Sequence, residues 1–90
     1  MKYRWNLEKA KSNFQKHGIY FSDAVSVFSD DSAITRKDDY FREERFITIG
    51  MDAFGKIIVV VFTWRNEDIR IISARKAAPS ECKQYFGDKK

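Results

Sequence analysis

The segment 69–76, Ile-Arg-Ile-Ile-Ser-Ala-Arg-Lys, places two arginines among apolar residues. A guanidinium stays charged, and its planar donors match two oxygens of a phosphate, so Arg70 and Arg75 are candidate phosphate-binding residues. An unpaired cation is costly to bury, and strict alternation along a strand puts the two side chains on opposite faces. We therefore predict that one of them points into a cleft, or pairs with Glu44 or Glu81. The alternative for each arginine is an internal ion pair or a solvated strand end.

His17 is the only histidine of the chain and lies between Lys16 and Gly18. Imidazole gains and loses a proton near neutral pH, so His17 is a candidate general acid or base. The alternative is a residue at the C-terminal end of a helix that interacts with the helix dipole and the last carbonyls. For Lys16 the alternative is likewise a solvated helix end.

A third polar cluster, Glu43-Glu44-Arg45, precedes an apolar segment at 46–49. A carboxylate beside an arginine can orient it, but adjacent residues of a strand face opposite ways, so Glu44 and Arg45 need not be partners. Tyr85 falls at the end of the last predicted helix, in the core or at its rim.

Familiar catalytic motifs are absent from the sequence. It has no glycine-rich phosphate loop, no Gly-x-Ser-x-Gly segment and no pair of histidines at metal-binding spacing. Nucleotide hydrolysis, serine hydrolysis and zinc chemistry are therefore not expected, and we predict neither a metal nor a cofactor. A single cysteine fits a reducing compartment. Because no apolar run approaches the roughly 20 residues of a membrane span and no signal peptide is evident, a cytoplasmic location without membrane contact is expected.

The elements that must position these residues follow from periodicity. Asn6, a good N-cap, and Gly18, a good C-terminal stop, bound a first predicted helix. Leu7, Ala10 and Phe14 form its apolar stripe at three- and four-residue spacing. Ser22 caps a second short helix, and Pro79 suits the first turn of a closing helix. Strands are predicted at 33–36, 45–51, 56–64 and 69–76.

Short hairpin turns between these strands require antiparallel neighbours. The sequence therefore predicts an α+β fold, an antiparallel meander with two N-terminal helices and one C-terminal helix on one face. A short strand at 3–5 would pair at the edge or alongside the centre. Ninety residues, 43% of them hydrophobic, allow one core, so a single domain over 1–90 is expected.

The net charge of +4 is unevenly distributed. Residues 1–20 carry five Lys or Arg against one Glu, and residues 69–90 carry six against two acidic residues, whereas the middle carries six against ten. If the fold brings the two ends together, they form a basic surface that attracts phosphate. The alternative is that the charges only solvate the surface of a small protein.

An ordered series of residues resembles the BrnT family of bacterial toxins, from residue 3 to about residue 86. The more specific segments are Lys16-His17-Gly18, Glu43-Glu44-Arg45 and Ile71-Ile72-Ser73-Ala74-Arg75. Asn6 departs from the Asp that is common in the family, but both residues cap helices well. Further matching residues are Trp5, Lys9, Asn13, Phe21, Ala24, Phe28, Ile49, Gly50, Arg70, Ala77, Glu81 and Tyr85.

The resemblance implies a toxin of a type II toxin–antitoxin system with a RelE-like fold that cleaves RNA and arrests translation. It also implies neutralisation by a BrnA-type antitoxin, through which alone operator DNA is bound. A heterotetramer of two toxins and two antitoxins is the assembly that the family suggests.

The leading hypothesis is a metal-independent endoribonuclease, because RNA carries its own nucleophile in the 2′-hydroxyl. His17 is then the candidate acid or base, Arg70 and Arg75 clamp the phosphate, and Arg45 is a further clamp or orienting group held by Glu44. Glu81 and Tyr85 support the site. Flanking phosphates would be bound by Lys9, Lys11 and Lys16. The competing hypotheses are a non-catalytic RNA-binding module and a protein-interaction subunit.

Overall fold

A computed structural model describes residues 2–39 and 43–87, which form five strands, three α-helices and a 3₁₀ helix. The strands are β1 (Tyr3–Arg4), β2 (Ile34–Asp38), β3 (Arg45–Met51), β4 (Ile57–Arg65) and β5 (Asp68–Lys76). The helices are α1 (Leu7–His17), α2 (Phe21–Ala24), the 3₁₀ helix Val25–Ser29 and α3 (Pro79–Phe86). Strand β2 begins one residue later than the predicted strand 33–36 and extends two residues further, to Asp38. None of the helices in the described residues is long and apolar enough to cross a membrane.

The five strands form one sheet in the order β1-β5-β4-β3-β2. Strands β2 to β5 are the predicted antiparallel meander, which is confirmed. The prediction of a wholly antiparallel sheet is wrong, because β1 pairs with β5 in parallel, at Tyr3–Ile69 and Arg4–Arg70. The direction of β1 is set by its pairing with β5, the last strand of the chain, and no local pattern of residue types encodes it.

Helices cover both faces of the sheet, so the prediction that they share one face is wrong. Ile58 and Val60 of β4 pack with α2 and the 3₁₀ helix in the larger core cluster, whereas Val59 packs with Tyr85 of α3 in a smaller one. Since neighbouring residues of a strand point to opposite sides, these clusters lie on opposite faces. The unbroken β-branched run of β4 is explained by this two-sided burial. We call the two sides the α1 face and the α3 face.

Helix α1 buries only part of the predicted apolar stripe. Its predicted ends are confirmed, since the Asn6 side chain accepts from the Lys9 N–H at 3.0 Å and Gly18 has a positive φ of 71°. Ala10 packs against the larger core cluster, whereas Leu7 is 75% and Phe14 is 37% exposed. The buried residue of α1 is instead Asn13.

Asn13 explains this orientation. Its side-chain amide donates to the Ala74 carbonyl at 2.9 Å and to the Ile19 carbonyl at 3.1 Å, and its oxygen accepts from the Ala74 N–H at 3.1 Å. Strand β1 pairs with β5 only at Ile69 and Arg70, so the backbone of β5 beyond that point lacks a neighbouring strand. A buried strand edge needs partners for its polar groups, and Asn13 supplies them at Ala74.

A β-bulge in β5 changes the faces on which its side chains lie. Val61 pairs with Ser73 and the next residue, Phe62, pairs with Ile71, so Ile72 is the extra residue. Arg70 therefore lies opposite Thr63, and Arg75 lies opposite Val59. The prediction that Arg70 and Arg75 lie on opposite faces is wrong, because the bulge shifts the alternation by one residue and puts both on the α3 face.

Candidate functional site

The six described arginines all belong to the α3 face of the sheet. Arg75 lies opposite Val59, and Arg36 lies opposite Ile47. Val59 and Ile47 both belong to the smaller core cluster, which lies on the α3 face. The described lysines of the sheet, Lys37 and Lys76, lie opposite Phe46 and Ile58 and so belong to the α1 face. Arg42 lies outside the described residues. We call this surface the arginine face; its arginines are Arg4, Arg36, Arg45, Arg65, Arg70 and Arg75.

Arg70 is near the centre of the arginine face. It is half-buried, and Thr63 and Arg4 are its neighbours on the adjoining strands. The Thr63 hydroxyl donates to the Glu44 carbonyl at 2.7 Å and is thereby engaged. Within residues 2–39 and 43–87, the Arg70 guanidinium has no hydrogen-bond or ion-pair partner. Its planar set of donors is therefore available to an anion.

Arg75 differs from Arg70 because Glu81 of α3 binds it with both carboxylate oxygens. Its Nη1 donates to Oε1 at 2.8 Å and its Nη2 donates to Oε2 at 2.8 Å. We predicted that one of the two arginines points into a cleft or forms an ion pair, and Arg75 forms the ion pair with Glu81. The fork that would bind a phosphate is already occupied in this structure.

Glu81 is ionised throughout the ordinary pH range. Its bonds to Arg75 lower the pKa of the Glu81 carboxyl to about 2, and the backbone N–H of Ala78, donating to Oε1 at 2.7 Å, and the charge of Arg36 act in the same direction. A carboxylate with so low a pKa is a weak proton acceptor. Glu81 is therefore suited to holding Arg75 rather than to transferring protons.

Arg36 joins the site although the sequence did not mark it. Its positive charge contributes to the lowered pKa of the Glu81 carboxyl. It is exposed and lies on edge strand β2, in the row Arg36–Ile47–Val61–Ser73 across the sheet. The pairing register between β2 and β3 is the signal that could have found it, but that register is not readable from local residue types.

Arg45 is held by a different partner from the one predicted. Its Nε and Nη2 donate to Glu43 Oε2 at 3.2 and 3.1 Å, and its side chain is 23% exposed. Glu44 instead pairs with Lys37 at 3.1 Å, which raises the pKa of the Lys37 ammonium through a hydrogen bond and charge attraction. The expectation that Glu44 holds Arg45 is wrong, because successive residues of an extended chain point to opposite sides.

Tyr85 anchors α3 rather than facing the open part of the site. Its hydroxyl donates to Asp30 Oδ2 at 2.8 Å, and the same oxygen accepts from the Met51 N–H at 2.8 Å. The bond to Asp30 raises the pKa of the Tyr85 hydroxyl, and burial acts in the same direction. Tyr85 therefore supports the site indirectly, by fixing the helix that carries Glu81.

His17, Lys9 and Lys16 meet in a groove between α1 and the open edge of β5. The groove has a volume of about 180 Å³ and is also lined by Ser12 and by Ser73 of β5. We call it the edge groove; its complete lining is Lys9, Ser12, Asn13, Lys16, His17, Ile72 and Ser73. Among the described residues, no hydrogen bond or ion pair joins His17 to an arginine.

Lys11 is separated from the other two predicted lysines. It lines an apolar groove of about 580 Å³ on another side of α1, together with Trp5, Leu7 and Phe14. The structure thus brings Lys9, Lys16 and His17 together and leaves Lys11 outside the edge groove. In the part of the chain that the structure describes, no group of three His, Cys, Asp or Glu side chains could hold a metal ion.

An arginine-rich sheet face on a small α+β scaffold has the positive charge and the planar donors that nucleic-acid phosphates require. The comparisons agree with this class: residues 5–81 match the family model of the ribonuclease toxin, BrnT, of type II toxin–antitoxin systems. The chain therefore belongs to the BrnT family of ribonuclease toxins.

A solved structure supports the same assignment. The crystal structure of the Brucella abortus ribonuclease toxin, BrnT, is similar to this chain with a TM-score of 0.66 and 28% sequence identity. The alignment covers 87% of this chain and 97% of that one. No curated protein matches the sequence significantly. Membership of a type II family means that the toxin has an antitoxin partner.

Proposed function

We propose that the arginine face binds and cleaves RNA, and that the chain is an endoribonuclease that needs no metal ion. The observation that carries the proposal is the position of Arg70, a half-buried guanidinium without a described partner at the centre of a face that gathers all six described arginines. An unpaired charge in such a place is unfavourable, and a bound phosphate would relieve it. Membership of a ribonuclease family supports RNA as the bearer of that phosphate.

The reaction requires little from the protein. The 2′-oxygen of one nucleotide forms a bond to the adjacent phosphorus while the bond from phosphorus to the 5′-oxygen breaks, which leaves a 2′,3′-cyclic phosphate and a 5′-hydroxyl. One proton leaves the 2′-hydroxyl and one is delivered to the 5′-oxygen. Arg70 stabilises the negative charge that develops on the phosphate. His17, exposed beside Ser73 at the margin of the face, is the candidate for the proton transfers.

The remaining arginines act through position and charge. Glu81 holds Arg75 in a fixed orientation, so this guanidinium adds a directed positive charge next to Arg36. Arg45, held by Glu43, lies on the other side of Thr63 from Arg70. A strand of RNA crossing the sheet from β3 to β5 would therefore meet a guanidinium at each end of its path.

The test is incubation of purified toxin with single-stranded RNA in the presence of EDTA. We expect cleavage to continue, and the new ends to be a 2′,3′-cyclic phosphate and a 5′-hydroxyl. Salt-sensitive binding without any product would instead support the non-catalytic RNA-binding module. Activity that chelation abolishes and added divalent metal restores would contradict the metal-independent mechanism.

We also propose that the toxin shares the RelE-like arrangement, arrests translation in the cytoplasm and is neutralised by a BrnA-type antitoxin. The complex would contain two toxins and two antitoxins, with operator DNA bound only by the antitoxins. Expression of the chain should stop growth, and co-expression with the antitoxin encoded beside it should restore growth. The mass of the purified complex in solution tests the stoichiometry; any ratio other than two to two contradicts it.

A further inference from the structure

The edge groove combines cationic and hydroxyl groups from two elements. Lys9, Ser12 and Lys16 follow one another at three- and four-residue spacing, so they lie along one side of α1. Ser73 of β5 faces them across the groove. No carboxylate is among the residues that line it.

The position of the lysines is fixed by Asn13, which lies between them on the same side of the helix. Its three hydrogen bonds to Ala74 and Ile19 tie the middle of α1 to the edge of β5. Lys9 and Lys16 are each about one helical turn from this point. The helix backbone that carries both lysines is therefore held against the edge of β5, so only their side chains have to be ordered when they bind a ligand.

The positive charges of the groove are not neutralised by the protein. Neither Lys9, Lys16 nor His17 has a carboxylate within ion-pair distance among residues 2–39 and 43–87. Lys37 on the same α1 face shows the contrast, because it has both Glu44 and Asp39 within that distance. Cations gathered without counter-charges favour an anionic ligand.

The groove adjoins the arginine face through β5. Ser73 lines the groove and also belongs to the α3 face, opposite Val61 and between Arg70 and Arg75 along the strand. The bulge at Ile72 lies at the same place. A nucleic-acid strand that leaves the arginine face over the free edge of β5 therefore passes directly to Lys9 and Lys16.

We propose that the edge groove is a second phosphate subsite, in which Lys9 and Lys16 bind a phosphodiester of the same RNA strand beyond the bond that is cleaved. This inference rests on the proposed function. Lysine and serine side chains are common partners of nucleic-acid phosphates, and a volume of about 180 Å³ suits a compact anion. Lys11, in the apolar groove, is not part of this subsite.

The subsite can be tested by measuring how RNA affinity depends on salt. The probe is a single-stranded RNA methylated at every 2′-oxygen, which cannot be cleaved, and the affinity is measured by fluorescence anisotropy over a series of salt concentrations. Each phosphate contact on a single strand contributes about 0.7 to the slope of log K against log salt. We expect Lys9→Ala and Lys16→Ala each to reduce the slope by about 0.7, and the double variant to reduce it by about 1.4.

Lys11→Ala is the comparison, because it removes the same charge from an exposed position of the same helix. A reduction in slope that is as large for Lys11→Ala as for Lys9→Ala and Lys16→Ala overturns the subsite, since it would reflect general charge and not a local contact. Unchanged slopes in all the lysine variants also overturn it, and would leave the groove as a site for another anion, such as acidic side chains of the antitoxin.

Kinetics separates failure of the subsite from failure of the proposed function. Loss of a phosphate contact that is made equally in the ground state and the transition state raises KM and leaves kcat unchanged. We therefore expect cleavage by Lys9→Ala and Lys16→Ala to show a higher KM at unchanged kcat. If the wild-type protein cleaves RNA but these variants have its KM and its salt slope, only the subsite is wrong. If the wild-type protein neither binds nor cleaves RNA, the proposed function is wrong as well.

Discussion

Arg70 and Arg75 carry the same guanidinium on the same face of the same strand, yet their surroundings give them different roles. The fork of Arg75 is filled by the two oxygens of Glu81, each 2.8 Å away. The fork of Arg70 has no partner among the described residues. A phosphate can bind to Arg70 directly, whereas at Arg75 it would have to displace a carboxylate. Arg70 is therefore the residue on which the proposed chemistry depends most.

The Arg75–Glu81 pair should make stability depend on pH in acid. In the folded protein the pKa of Glu81 is about 2, below its ordinary value of 4.5, so the pair stabilises the fold above about pH 4.5 and this stabilisation is lost as the pH falls towards 2. Because Arg75 is 43% exposed, solvent screens the pair and we expect a contribution of about 1 kcal/mol.

The measurement is the free energy of unfolding in urea at a series of pH values, for the wild type and for Glu81→Gln. The variant should be less stable by about 1 kcal/mol at pH 7 and should lack this part of the decline between pH 4.5 and 2. Parallel pH profiles for the two proteins would show that the pair does not contribute.

His17 gives a second prediction at the level of single residues. If it transfers protons in the reaction, His17→Ala should lower kcat by about 100-fold or more and should change the pH profile of kcat. A kcat within about threefold of wild type, with an unchanged pH profile, would assign the proton transfers to another group.

At the level of elements, the sequence predicted what is encoded locally. Asn6 and Gly18 bounded α1 correctly, because capping and left-handed residues act within one turn. The strand predicted at 56–64 is confirmed as β4, whose β-branched run is typical of a strand covered on both sides, because such burial needs apolar residues at successive positions. The hairpins β3–β4 and β4–β5 followed from their turns.

Features that depend on distant partners could not be predicted. Asn13 contacts Ala74, 61 residues away, and nothing near Asn13 indicates that it replaces a strand neighbour. The bulge at Ile72 carries no glycine and interrupts an alternation that reads as regular. As a result, the exposure of Leu7 and Phe14 was not predicted, the relative faces of Arg70 and Arg75 were predicted wrongly, and Arg36 was missed.

The structural role of Asn13 is open to a direct test. Asn13→Ala leaves the N–H and carbonyl of Ala74 and the carbonyl of Ile19 without these partners, in a buried position. Unsatisfied buried groups are costly, so we expect a loss of about 2–4 kcal/mol in the free energy of unfolding. Gln15→Ala, an exposed change in the same helix, should cost less than about 0.5 kcal/mol. Equal stability of the two variants would mean that Asn13 does not hold α1 to the sheet.

On the scale of the whole molecule, the two basic ends of the chain do meet, since β1 and α1 both lie against β5. They do not form one uniform basic surface, however. The described arginines lie on the α3 face, whereas the lysines of α1 and of the sheet lie on or beside the α1 face. Strand β5 is the boundary between the two sets of charges, and its Ser73 both belongs to the arginine face and lines the edge groove.

The measurement that tests the arginine face most directly compares kcat/KM for RNA cleavage after removal of one charge from either face of β5. Arg70→Ala should lower kcat/KM by about 100-fold or more, because it removes stabilisation of the transition-state charge. Arg70→Lys should recover only part of the activity, since an ammonium keeps the charge but lacks the planar fork. Lys76→Ala, on the same strand and the opposite face, should keep kcat/KM within about threefold of wild type. If Arg70→Ala is folded and cleaves RNA as well as Lys76→Ala does, the arginine face is not the site of cleavage.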